Sequence, residues 1–139
     1  MALHKAVAES SIEEMVTLLD SGVELDSQND NGQTALYMAI RTNFEAGVDL
    51  LLERGCDVNI ANNYGDTPLH LVVFKSNVRL LKKLLSKGAL PECKNMMGQT
   101  PLQVAVAWNF KSGVQLLLDS GASAEVKNTA LDMALRTGS

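Results

Sequence analysis

Residues 63–95, NYGDTPLHLVVFKSNVRLLKKLLSKGALPECKN, read as a turn, a short helix, a longer helix and an extended exit. The same order recurs on both sides at an offset of 33 positions. DNGQTALYMAIRTNFEAGVDLLLERGCDVNIAN occupies 30–62, and MMGQTPLQVAVAWNFKSGVQLLLDSGASAEVKN occupies 96–128. A chain of 139 residues therefore divides into units of an array, each burying its apolar face against the next.

The three full units share one grammar. Gly32, Gly65 and Gly98 mark a turn, where a residue without Cβ takes positive φ. Thr34, Thr67 and Thr100 follow as N-caps, and Pro68 and Pro101 stand at the first helical position, where a missing N–H costs nothing. The helix that begins there is only about two turns long and needs its neighbours for stability. A break at Asn43, Ser76 and Asn109 starts a second helix, with the apolar ridges Val48-Leu51-Leu52, Leu81-Leu84-Leu85 and Val114-Leu117-Leu118. Gly55, Gly88 and Gly121 close these helices.

Gly47 and Gly113 stand inside the second helix, where the middle unit has Leu80. Each should cost ~1 kcal/mol of helix propensity. Both occur three residues after a phenylalanine, Phe44 or Phe110, so the ring is expected to fold over the space. The middle unit uses Asn77 and Leu80 instead.

The ends are atypical. Residues 1–29 form a unit entered late, lacking the turn, with Ser10 or Ser11 capping a helix closed by Gly22. The last unit, TALDMALRTGS (129–139), repeats TALYMAIRTNF, arrives four residues early and stops after the first helix. Incomplete units at both ends are what an excised fragment of a longer array, or a naturally short protein, would show.

Composition narrows the function. With 46% hydrophobic and 20% charged residues, the chain reads as a globular protein. No apolar run is long enough to span a membrane, and MALHKAVAESS has no secretory core. Cys56 and Cys93 belong to no metal-ligand cluster and are expected as free thiols in a reducing, intracellular setting, cytoplasmic or nuclear. The net charge of −4 argues against a nucleic-acid surface. It is unevenly spread: residues 1–29 carry one base against six acids, 30–62 two against five, and 63–95 six against two. Solvated helix faces would account for this, as would a polar surface that orients a partner.

With its 33-residue period, TPLHLVV box, Leu-Leu pair and Gly-x-Asp-Val-Asn exit, the chain resembles the ankyrin repeat. The resemblance covers the whole chain as one domain, 1–139, with repeats at 1–29, 30–62, 63–95 and 96–128 and a partial cap at 129–139. It implies an all-α solenoid of helix pairs with short β-hairpin fingertips, first helices lining a concave face and second helices forming the back. His4 and His70, the histidines of the box, are implied to bond backbone in a neighbouring turn. Asn59, in Asp57-Val58-Asn59, resembles a position hydroxylated in some ankyrin repeats.

No nucleophile–base pair, phosphate-binding glycine loop or metal-ligand cluster is present, so no catalysis, cofactor or metal is expected. Instead, several large apolar residues stand outside the core pattern. By the family layout, Tyr64, Met96 and Met97 are at fingertips, and Phe74 and Trp108 are at the concave ends of first helices. Such residues are enriched at interface hot spots. Arg41, Thr42, Lys75, Asp66 and Gln99 would form a polar rim. Arg79, Lys82, Lys83 and Lys87 would lie on the back, as solvated surface or as a contact with a second partner or with phospholipid. The expected function is a monomeric protein-interaction module, an adaptor, scaffold or inhibitor binding a protein or peptide segment, with no nucleic acid or membrane partner. The alternative is the recognition or regulatory part of a larger enzyme assembly, such as a ubiquitin ligase or kinase.

Overall fold

A computed structural model describes residues 2–121. The late part of the array, including the shortened last unit at 129–139, lies outside these residues. The described chain forms four helix pairs: α1 (Ala2–Ala8) with α2 (Ile12–Asp20), α3 (Ala35–Arg41) with α4 (Glu45–Glu53), α5 (Pro68–Phe74) with α6 (Val78–Ser86), and α7 (Pro101–Ala107) with α8 (Lys111–Asp119).

Local chemistry starts each first helix. Thr34, Thr67 and Thr100 sit in extended backbone, and their hydroxyls accept the N–H of Tyr37, His70 and Gln103. In α5 and α7 the cap is reciprocal: His70 Nδ1 accepts the Thr67 N–H at 3.0 Å, and Gln103 Oε1 accepts the Thr100 N–H at 2.9 Å. Each pair turns its corner through one left-handed residue, Ser10, Asn43, Ser76 or Asn109, with φ between 52° and 61°. The N–H groups around that residue reach back into the preceding helix. In the third pair, Ser76 donates to the Val73 carbonyl (2.9 Å) and Asn77 to the Val72 carbonyl (3.0 Å). Of the two candidate caps for α2, Ser11 fills the role, while Ser10 takes the left-handed position.

The corner that follows is built in two ways. Asn77 Oδ1 accepts the Leu80 N–H at 3.0 Å, an ordinary polar cap, and Leu80 is buried. Phe44 and Phe110 offer no side-chain cap. Their rings lie over Gly47 and Gly113, as the spacing predicts: a Cβ on Gly47 would stand 2.6 Å from Phe44 Cδ2, and one on Gly113 would be closer still to Phe110.

The helices stack in two layers, with α1, α3, α5 and α7 in contact in sequence, α2 against α4 and α6 against α8. Between the layers runs one apolar core. Leu36, Ile40, Leu51, Leu69, Leu81, Leu84, Leu102 and Leu117 are fully buried, and each helix contributes to the core. Burial of this kind, at about 25 cal/mol per Å², stabilises helices too short to persist alone.

The turns stack as well. Asn29, Asn62 and Asn95 each open one, donating backbone N–H to the residue four ahead and accepting the turning glycine's N–H. Their Oδ1 atoms accept further N–H groups inside the turn, as when Asn62 takes those of Tyr64 (2.9 Å) and Asp66 (3.0 Å). One backbone bond links successive tips: Asn63 N–H to the Asn31 carbonyl, and Met96 N–H to the Tyr64 carbonyl. A Cβ on Gly65 would meet the Met96 nitrogen at 2.8 Å, so this approach requires glycine. The implied hairpins are therefore turns with too few rungs to make a strand among the described residues.

The uneven charge has a structural role. Three ion pairs join consecutive second-helix segments, each spanning 34 positions: Arg54–Asp20 (2.9 Å), Arg79–Glu45 (3.2 Å) and Lys83–Asp49. Acids of the second repeat thus meet bases of the third. The pairs are partly exposed and each contributes at most ~1 kcal/mol, but they favour one neighbour order over others.

Candidate interaction surface

Every first helix ends at the same edge of the stack, and the residues there are Ala8-Glu9, Arg41-Thr42, Phe74-Lys75 and Ala107-Trp108. All are exposed except Lys75, which is half-buried. Phe74 and Trp108 meet edge to face, ring centroids 6.3 Å apart and planes at 86°. This contact covers only part of each ring: Phe74 remains 38% exposed and Trp108 61%. An edge-to-face pair contributes ~0.5–1.5 kcal/mol, less than full burial of either ring would return.

On the α3 side of this pair, Lys75 Nζ donates to the Arg41 carbonyl at 3.1 Å, which lays the ammonium across the end of α3. Thr42 Oγ1 folds back onto the Met38 carbonyl at 2.9 Å. Arg41 and Lys75 take part in none of the three ion pairs. From α3 to α7 the edge reads cation, cation, aromatic, aromatic.

The fingertip residues form a second group. Met96 and Met97 are 76% and 83% exposed, and Tyr64 is comparably open. The Met96–Tyr64 backbone bond holds two tips together. Since the turns precede α5 and α7 while Phe74 and Trp108 end or follow them, the groups sit at opposite ends of helices about 10 Å long. Asp66 and Gln99 belong to the turn scaffold. Asp66 Oδ1 accepts from Asn95 Nδ2 at 3.0 Å, and the Gln99 carbonyl accepts from His70 Nε2 at 2.8 Å. Both help to position the tips, and both side chains remain half-buried at the turns.

The histidines are structural. His4 reaches the Gln33 carbonyl at 2.7 Å as His70 reaches that of Gln99. A backbone N–H must donate, so His70 Nδ1 accepts and Nε2–H donates, which fixes a neutral ring. Burial lowers its pKa, while the Gln99 carbonyl and Asp66 act in the opposite direction. Cys56 and Cys93 are free and half-buried. Burial pushes the Cys56 thiol up to about 12, with Asp26 and Asp57 adding to the shift, which disfavours the thiolate.

On the back, Arg79 and Lys83 are engaged by Glu45 and Asp49, leaving Lys82 and Lys87 as exposed cations outside the ion pairs. Asn59 ties two exit loops, accepting the Leu90 N–H at 2.8 Å and donating to the Gly88 carbonyl at 3.2 Å. One exposed residue escaped the sequence reading. Leu90, 55% exposed, lines a cavity of about 420 Å³ with Pro91, Cys93 and Gly121. It stands where the earlier units have Glu24 and Asp57, a break in pattern that was available in the sequence.

Among the described residues there is no cluster able to hold a metal, and no helix is long and apolar enough to cross a membrane. Stacked helix pairs, three of them started by a threonine cap and tied through their turns, define a helical-repeat solenoid. A family profile described as ankyrin repeats (3 copies) matches residues 3–95 and 48–129, and the chain belongs to the ankyrin-repeat family. Ankyrin repeats are in general protein–protein interaction modules and typically non-catalytic. No curated protein matches the chain.

Proposed function

We propose that this chain is a non-catalytic recognition module that binds a protein segment along the helix-end edge from Arg41 to Trp108. The fingertips Tyr64, Met96 and Met97 make a separate, outer contact. The observation carrying this reading is the Phe74–Trp108 pair, two large rings held at the surface at positions the core does not use. A module that recognises one partner segment acts as an adaptor, scaffold or inhibitor. Two half-buried free thiols support a reducing, intracellular setting, and a monomer leaves the edge accessible.

The test is affinity capture from cell lysate with the intact chain and a Phe74→Ala/Trp108→Ala variant of matching melting temperature. The expected result is a partner retained by the first and lost by the second. Identical retained sets would move the binding surface elsewhere.

A further inference from the structure

Resting on that reading, we infer that the segment bound at this edge is acidic as well as apolar: one or more carboxylates against Arg41 and Lys75, and a large apolar side chain on the Phe74–Trp108 pair. Two acids of the second repeat, Glu45 and Asp49, are paired with Arg79 and Lys83 on the back, while Asp66 of the third repeat accepts from the Asn95 amide in the turns, at the other end of α5 from the aromatic pair. Among the described helix ends the only carboxylate is Glu9, just after α1, beyond Arg41 from the aromatic pair. Lys75 spends one of three N–H donors on the Arg41 carbonyl and keeps two. Arg41 is exposed and presents a planar fork suited to a carboxylate.

Net charge alone points the other way. A chain at −4 would be expected to prefer basic segments, but the acids outside the ion pairs lie mainly on the first repeat and, in the second, at Asp30, Glu53 and Asp57, none of them at the helix ends that carry Arg41, Phe74, Lys75 and Trp108. The charges at these helix ends themselves are those of Arg41 and Lys75, with Asp66 acting from the turn side on Tyr37, which Arg41 also influences. The placement of the two cations on the α3 side also orients the segment, with its carboxylates towards α3 and its apolar group towards α7.

The sole tryptophan of the chain is Trp108, so its fluorescence reads this edge directly. A random peptide display library would be selected on the intact chain, and enriched peptides titrated against the intact chain, Arg41→Glu/Lys75→Glu and Phe74→Ala. The expected result is enrichment of acidic peptides carrying a large apolar residue, a change in Trp108 emission on binding, and affinity falling about tenfold or more in both variants. Binding of the acidic peptides should also weaken as salt rises. Enriched peptides that are basic or uncharged, lost with Phe74→Ala but untouched by the charge reversal, would overturn this inference and leave the proposed site standing. Peptides that bind without altering Trp108 emission and survive Phe74→Ala would overturn both, as would no enrichment. Self-association that the charge reversal abolishes would identify a second copy, through its acidic first repeat, as the occupant and also overturn the inference.

Discussion

The corner of the third repeat and the corner of the fourth do one job with different residues. In the third, Asn77 caps α6 and Leu80 fills the core. In the fourth, Phe110 covers Gly113 and no side chain caps α8. Each change in one residue is answered by a change in its neighbour. The same holds for His70 and Gln103, which close the same capping box, and for the acids and bases paired across 34 positions. Phe74 and Trp108 differ from all of these. They meet each other edge to face, and both remain partly open to solvent. Variation compensated within the array is structural; variation left facing solvent is where a partner acts.

The corner comparison can be broken most severely by mixing its halves. Gly113→Leu beneath the Phe110 ring should destabilise by ~2–3 kcal/mol through overpacking. Adding Phe110→Asn should recover most of that loss, since it recreates the third repeat's pairing. Denaturant unfolding of the two single variants and the double gives the coupling, and simple additivity would show that the corners are not built as pairs.

Ser76 holds its left-handed conformation with a Cβ, as Ser10 does. Ser76→Gly should therefore stabilise by ~1 kcal/mol by relieving that strain. A lower melting temperature would show that the serine makes a compensating interaction. The ion pairs predict a smaller effect. Asp49→Lys should cost under about 1 kcal/mol at low salt and less at high salt, and Lys83→Asp in the same chain should restore much of it.

His70 should be visible as a pH effect. Burial depresses its folded-state pKa below 6.5, so the unfolded chain binds the proton more readily. Stability from this group is complete above pH 6.5 and declines as the pH falls below it. His70→Gln, the residue used by the next repeat, should flatten that decline in urea unfolding followed across mildly acidic pH. An unchanged slope would assign the acid sensitivity to other groups.

Most of the fold was legible because its signals are local. Thr before Pro, glycine after a Leu-Leu ridge and phenylalanine three residues before glycine each report backbone geometry within one turn, and all recur at one period. The turn asparagines were equally periodic but passed unused. An amide at positions 29, 62 and 95 shows its role only once the turn's N–H groups are seen converging on Oδ1. The i to i+34 pairs were hidden for a related reason: sequence gives the charge of each unit but not the one-residue offset at which stacked helices meet. At the candidate site, Phe74 and Trp108 stood out by type and position, while the commitment of Asp66 and Gln99 to neighbouring turns required coordinates.

The central claim is that Phe74 and Trp108 belong to recognition and not to the stack. The most direct measurement compares melting temperature and affinity for one captured partner or library peptide in the intact chain, Phe74→Ala and Trp108→Ala. The account predicts nearly unchanged melting, within what an exposed ring pair contributes, and affinity lost by about 2 kcal/mol or more in each variant. A large drop in melting temperature with affinity intact would contradict it and return both rings to the core.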